Sequence, residues 1–117
     1  MNSQKYNEFH ALYTEAQRVG REAGRAITPR PMKVEGWPVV ADGLCGFASV
    51  NIRDGRKPFC KWLVASGLAS KDTYHGGISI WISDHNQSYE RKGAHAKAMA
   101  AYLREHGYTA YVYTELD

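Results

Sequence analysis

Apolar and polar residues alternate along ISIWIS, residues 78–83: Ile78, Ile80 and Ile82 fall on one face, Ser79, Trp81 and Ser83 on the other. Such alternation predicts a strand with one side on a core. LCGFASVNI, residues 44–52, has the same period, setting Leu44, Gly46, Ala48, Val50 and Ile52 against Cys45, Phe47, Ser49 and Asn51. YTAYVYTEL near the C-terminus predicts a third strand.

Elsewhere the period lengthens. Pro58 suits the first position of a short helix through PFCKWLVAS, and Gly67 suits its C-terminal cap. Ser88 is placed to cap a longer helix whose Tyr89, Ala96, Met99, Ala100 and Leu103 form an apolar stripe ended by Gly107. At the N-terminus, with Ser3 as the cap, Tyr6, Phe9, Tyr13, Ala16, Gly20, Ala23 and Ile27 recur at spacings of three and four, Leu12 and Val19 alongside, and predict an amphipathic helix to about residue 26. TPRPMKVEGWP follows, and its prolines stop the helix and favour an extended connector.

The order α, β, α, β, α, β predicts a single α+β domain. A long N-terminal helix (residues 1–27) and a Pro/Gly connector (28–43) precede a core (44–117) with a small mixed sheet of three strands, or four if WPVV pairs at an edge. The isoleucine face needs cover, which the second and third helices supply. The first helix is expected to lie across the opposite face and make Phe47, Trp81, Tyr111 and Tyr113 part of the core. Were it to swing away, those rings would form an exposed platform of the kind that stacks unpaired bases.

Composition narrows the class. The 44% apolar and 23% charged residues of this 117-residue chain are those of an ordinary domain that buries a core without cross-links. MNSQKYNEFH has no apolar run of the kind that opens a secretory signal, and no stretch approaches a membrane span, so a cytoplasmic location with no membrane partner is expected. Cys45 and Cys60 are expected to be free thiols. A net charge of +3 permits nucleic-acid contact without implying it.

Candidate chemistry concentrates in a few places. DHNQSYERKGAH, residues 84–95, is a long polar run between a strand and the helix after it, where α/β sheets gather ligands. Asp84, Asn86, Gln87, Ser88, Tyr89, Arg91 and Lys92 form the expected contact site, with hydrogen bonds directed outward. Its plainer reading is a turn and a helix cap. Arg18, Arg21 and Arg25 make a basic stripe on the first helix, which Glu15 and Glu22 are spaced to neutralise. Gly20 and Gly24, one turn apart, each cost about 1 kcal/mol relative to alanine. They imply close packing on the domain's own sheet, or a homodimer through this helix. Cys45 and, thirty residues on, His75 are the best pair for a thiol hydrolase, in an order that resembles NlpC-type cysteine peptidases. In that family, however, the cysteine opens a helix that lowers its pKa, whereas Cys45 precedes strand-like residues. His10, His75, His85, His95 and His106 show no metal-ligand spacing, His95 and His106 reading as helix-surface positions, and no phosphate-loop motif is present, so no metal and no cofactor are expected.

Residues 36–117, through GWPVVADGLCGFASVNI, KPFCKWLVASGLASKDTYHGGISIWISDHNQSYERKGAHAKAMAAYLREHG and the tail ELD, resemble a group of small proteins of tailed bacteriophages and prophages. That group brings no settled activity and no catalytic residues. The resemblance implies an accessory protein made in an infected bacterium, acting stoichiometrically as an inhibitor-like binder of a host or defence protein or nucleoprotein complex. Direct nucleic-acid binding and the Cys45/His75 hydrolase are the alternatives.

Overall fold

The two segments of clearest alternation become neighbours: β1 (Gly46–Ile52) lies antiparallel to β3 (Ile78–Trp81), with Val50 opposite Ile80 and Ser49 opposite Trp81. On its other side β1 pairs antiparallel with β4 (Ala110–Leu116), and the two-residue β2 (Ser70–Lys71) edges β3. The helices are α1 (Ser3–Ala26), α2 (Pro58–Ala65) and α3 (Tyr89–Glu105). The computed structural model describes residues 3–28, 45–86 and 88–116. Most of the proline connector, the WPVV segment and Gln87 lie outside the described residues.

The strand order is β2-β3-β1-β4, and among the described residues every pairing of strands is antiparallel, which corrects the expectation of a mixed sheet. Each helical crossover joins two strands that run the same way but leaves a gap one strand wide, filled by an antiparallel neighbour. This is the split β-α-β arrangement.

One face of the sheet carries Ala48, Val50, Ile52, Ile78, Ile80, Ile82 and Ala110, all buried. Over it lie Phe59, Cys60 and Leu63 of α2, and Ala96, Met99, Ala100 and Leu103 of α3. Each fully buried Leu, Ile, Met or Phe side chain contributes about 1.5–3 kcal/mol, so this layer holds the fold together. Burial pushes the Cys60 thiol up to about 11, which leaves it protonated and inert at neutral pH.

α1 does not cross the opposite face of the sheet. It packs on α3 along most of its length and touches α2 near its start, where Phe9 meets Phe59 at 5.7 Å and Trp62 at 6.1 Å between ring centres. α3 is therefore a middle layer, with the sheet on one side and α1 on the other, and its many alanines make it slim enough for that place. The two glycines of α1 serve the same contact. A Cβ at Gly20 would stand 2.6 Å from Nε2 of His95 and closer still to Cδ2, and one at Gly24 would stand 2.5 Å from Cε1 of His85. Their close packing is against His95 of α3 and His85 ahead of that helix rather than against the sheet, and within the chain it occupies the glycine face.

His95 is fully buried, not on the helix surface as its polarity suggested. Its Nε2 lies 2.7 Å from Oε1 of Gln17, whose amide nitrogen donates to the Tyr13 hydroxyl at 3.0 Å. With Oε1 accepting, His95 carries its proton on Nε2, and its Nδ1 accepts from Nε2 of His85 at 2.9 Å. Among the described residues no buried side-chain nitrogen or oxygen lacks a partner.

Candidate functional site

With α1 placed on the helices, no helix among the described residues covers the second face of the sheet. Phe47 (41% exposed), Trp81 (57%) and Tyr111 (42%) stand on it, the reverse of the covered arrangement expected from the sequence. Burial of the α1 stripe was the reason for that expectation, and α3 supplies the burial instead. The register arranges the face in rows across β3, β1 and β4: Trp81, Ser49 and Tyr113 in one, Ser79, Asn51 and Tyr111 in the next. Phe47, two residues before Ser49, is diagonal to Trp81, and such neighbours stand about 7–8 Å apart.

The segment from Asp72 to Gly77 folds back over one end of this face, tied down by the Asp72 carboxylate and by a bond from Asn51 to the carbonyl of Gly76 at 2.8 Å. Asp72 accepts from the Ser79 hydroxyl at 2.7 Å, from the backbone N–H groups of His75 and Tyr74 at 2.8 and 3.0 Å, from Nδ1 of His75 at 2.9 Å and from Nδ2 of Asn51 at 3.2 Å. The backbone N–H of His75, then the Ser79 hydroxyl and the His75 ring, hold this carboxyl well below the usual carboxylate range. Thus fixed, His75 stacks on Tyr113 at 3.7 Å, and Tyr74, 89% exposed, meets the His75 ring edge-on. A cleft of about 530 Å³ runs between this segment and the rings of Trp81 and Phe47.

Two cations border the aromatics. Arg53 donates to Oδ1 of Asn51 at 3.1 Å and to the Tyr113 hydroxyl at 2.7 Å, with its guanidinium 4.5 Å above the Tyr111 ring. Lys92 reaches from the first turn of α3 to within 5.6 Å of the Phe47 ring centre. Glu115, opposite Phe47, sets one carboxylate at the same corner. The surface therefore offers flat apolar faces edged by the exposed Arg53 and Lys71 and by the Glu115 carboxylate, while Lys92 itself is buried.

The run from Asp84 to Lys92 divides. Asp84 pairs with Arg21 of α1 at 2.9 Å; burial would raise its carboxyl, but Arg21 outweighs that and keeps it below its ordinary value. Ser88 is buried, caps α3 by accepting from the Arg91 N–H at 3.3 Å, and bridges to Cys45. The Tyr89 hydroxyl bonds Thr114 at 3.0 Å, and Arg91 donates to the carbonyl of Ile27 at 3.3 Å. These four side chains spend their polar groups inside the protein, so the expectation of bonds directed outward does not hold for them. Asn86 and Lys92 do border the open face, in a shallow cleft with Phe47 and Trp81.

The other candidates separate as well. In the basic stripe Arg18 pairs with Glu15 and Glu22, Arg21 is held by Asp84, and Arg25 is exposed. Cys45 and His75 are not brought together. Cys45 adjoins Ser88, and roughly 13 Å of strand lies between it and Ser49, whose partner Tyr113 carries His75. Among the described residues no three His, Cys, Asp or Glu side chains gather as a metal site requires. Arg53 and Tyr74 join the site without having been singled out in the sequence. For Arg53 a signal exists: continuing the alternation of Phe47, Ser49 and Asn51 by one step puts it on the same face. In comparison with known proteins, no family model, no curated protein and no solved structure matches the chain.

Proposed function

We propose that the chain works by binding, and that its open sheet face takes single-stranded nucleic acid, with bases stacked on Phe47 and Trp81 and phosphates met by the exposed Arg53. The observation that carries this reading is the exposure of large rings on a face that the fold itself could have covered with α1. An exposed tryptophan beside an exposed phenylalanine costs solubility unless a flat apolar ligand meets them, and the cations at their edge suit an anionic one. Stacking on such rings is tolerant of sequence and contributes about 1–3 kcal/mol per base. A duplex would not serve, because its bases are already stacked. The phage-type resemblance of residues 36–117 supports a bacterial setting and a stoichiometric role there.

Trp81→Ala and Phe47→Ala should each lower the affinity for a single-stranded oligonucleotide roughly 5- to 150-fold, the range those stacking energies set. Both sites are on the surface, so folding should be unaffected. Fluorescence anisotropy with a labelled oligonucleotide, competed by the same sequence as a duplex, reads the effect. Undiminished binding by the Trp81→Ala protein would overturn the reading. A bacterial protein captured after nuclease treatment, and lost on Trp81→Ala, would instead favour the inhibitor-like reading on the same surface.

A further inference from the structure

Beyond the aromatic face, at the end of β1, lies a second and larger cleft of about 830 Å³, enclosed by the 53–57 turn, α2, the start of the 72–77 segment and Thr109. It is lined by Val64, Ile78 and Gly77 and by the cationic Arg53, Arg56, Lys61 and Lys71. Two carboxylates also reach it, and both are engaged. Asp72 is saturated by the bonds that pin its own loop, and Asp54 accepts from the backbone N–H of Arg56 at 3.2 Å and from its guanidinium at 3.4 Å. Lys61 and Lys71 are exposed and pair with no carboxylate among the described residues. Arg53 and Lys71 belong to both surfaces: Arg53 sets its guanidinium over Tyr111 on the open face while it lines this cleft, and Lys71 lines both clefts.

We propose that this cleft is the backbone track of the same binding site: a strand whose bases lie on Phe47 and Trp81 passes Arg53 and lays successive phosphates between Lys61 and Lys71. The inference rests on the single-strand reading and adds its direction and extent. Stacking rings give affinity without fixing where the strand leaves the platform, whereas a cationic cleft joined to it through Arg53 and Lys71 does. The ligand class is a phosphodiester chain rather than a single phosphate, because the two lysines stand on different elements, one on α2 and one on β2. Neither lysine supports the core, so both can be replaced without loss of the fold.

The test compares wild type, Trp81→Ala and the double variant Lys61→Gln/Lys71→Gln on oligouridylates of roughly three and roughly twelve nucleotides across a salt series. For the longer probe the double variant should bind roughly tenfold more weakly at low salt, and its salt slope should fall by about 1.4, since each phosphate neutralised on a single strand contributes about 0.7. The short probe, which meets Lys71 where the two clefts adjoin but does not reach Lys61, should lose no more than about half as much slope, about 0.7. Equal slopes and affinities on the longer probe would overturn the track and leave the platform standing. Wild-type binding by Trp81→Ala, with weakened binding by the double variant, would remove the platform and keep the cleft as a phosphodiester site. No binding of either probe by wild type would overturn both.

Discussion

Lowering the pH from 6.5 to 4 should cost the folded chain on the order of 3 kcal/mol through His95 alone, read as a fall in the urea midpoint across a pH series. Burial is the main reason: it brings the imidazole down to about 4, and the nearby charges of His85 and Arg21 act in the same direction while Asp84 opposes them. In this window the unfolded chain takes up a proton at His95 that the native chain refuses. The unfolded state then binds more protons, so stability falls as pH falls, from the unfolded value near 6.5 until the native ring also titrates. His85 is lowered too, first by burial, with Asp84 opposing and Arg91, Arg25 and Lys92 assisting, and it adds to the loss in the same sense.

Geometry gives the effect its location. In the relay from His85 through His95 to Gln17 each ring holds one proton, and a proton added at Nδ1 of His95 would set two donors against each other 2.9 Å apart. The relay lies where α1 meets α3, so the acid-sensitive contact is the one that docks the N-terminal helix. His95→Gln should lower stability at pH 7 and flatten the slope between pH 6.5 and 4. Below about pH 4 a separate loss sets in as Asp72 and Asp84, whose carboxyls the fold holds low, take up protons first in the unfolded chain. An unchanged slope in His95→Gln would show that the relay does not govern the acid response.

Local elements were legible in the sequence because their signals are local. Alternation set the β1 and β3 faces, Pro58 opened α2, and Ser88 capped α3. What a face packs against is a different kind of information. The period of α1 states that a stripe is buried but not whether sheet or helix buries it, and the decisive partners, Gln17 and His95, are 78 residues apart in the chain. Both are polar residues on helices, a pattern that reads as solvent-facing until the partner is known. The run from Asp84 to Lys92 misleads for the same reason. Polar side chains meeting Arg21, Thr114 and Ile27 look, in sequence, like side chains meeting water. The aromatic face was visible residue by residue, whereas its exposure depended on the placement of α1.

Gly77→Ala should destabilise the chain by about 4 kcal/mol and loosen the segment that borders the binding face. Gly77 has a φ of +70°, a conformation that costs an L-residue about 1–2 kcal/mol. A Cβ there would also lie 2.6 Å from the carbonyl oxygen of Arg53 and closer still to that of Ile52, and backbone atoms cannot rotate aside as side chains do. Relieving the overlap must move the end of β1 or the turn at Gly76, which adds about 1–3 kcal/mol. Gly67 is the control. Its φ is +75°, but nothing stands within 4 Å of a Cβ at that position, so Gly67→Ala should cost only the conformational part, about 1–2 kcal/mol. Denaturant titration of the two variants reads the difference directly, and equal costs would mean that the close approach of Gly77 to β1 is not a constraint. The functional consequence follows from connectivity. Asn51 bonds both Asp72 and the carbonyl of Gly76, so displacing Gly77 strains the ties that place His75 on Tyr113. The same substitution should therefore weaken single-strand binding even where the protein remains folded, whereas Gly67→Ala, at the far end of α2, should leave it unchanged.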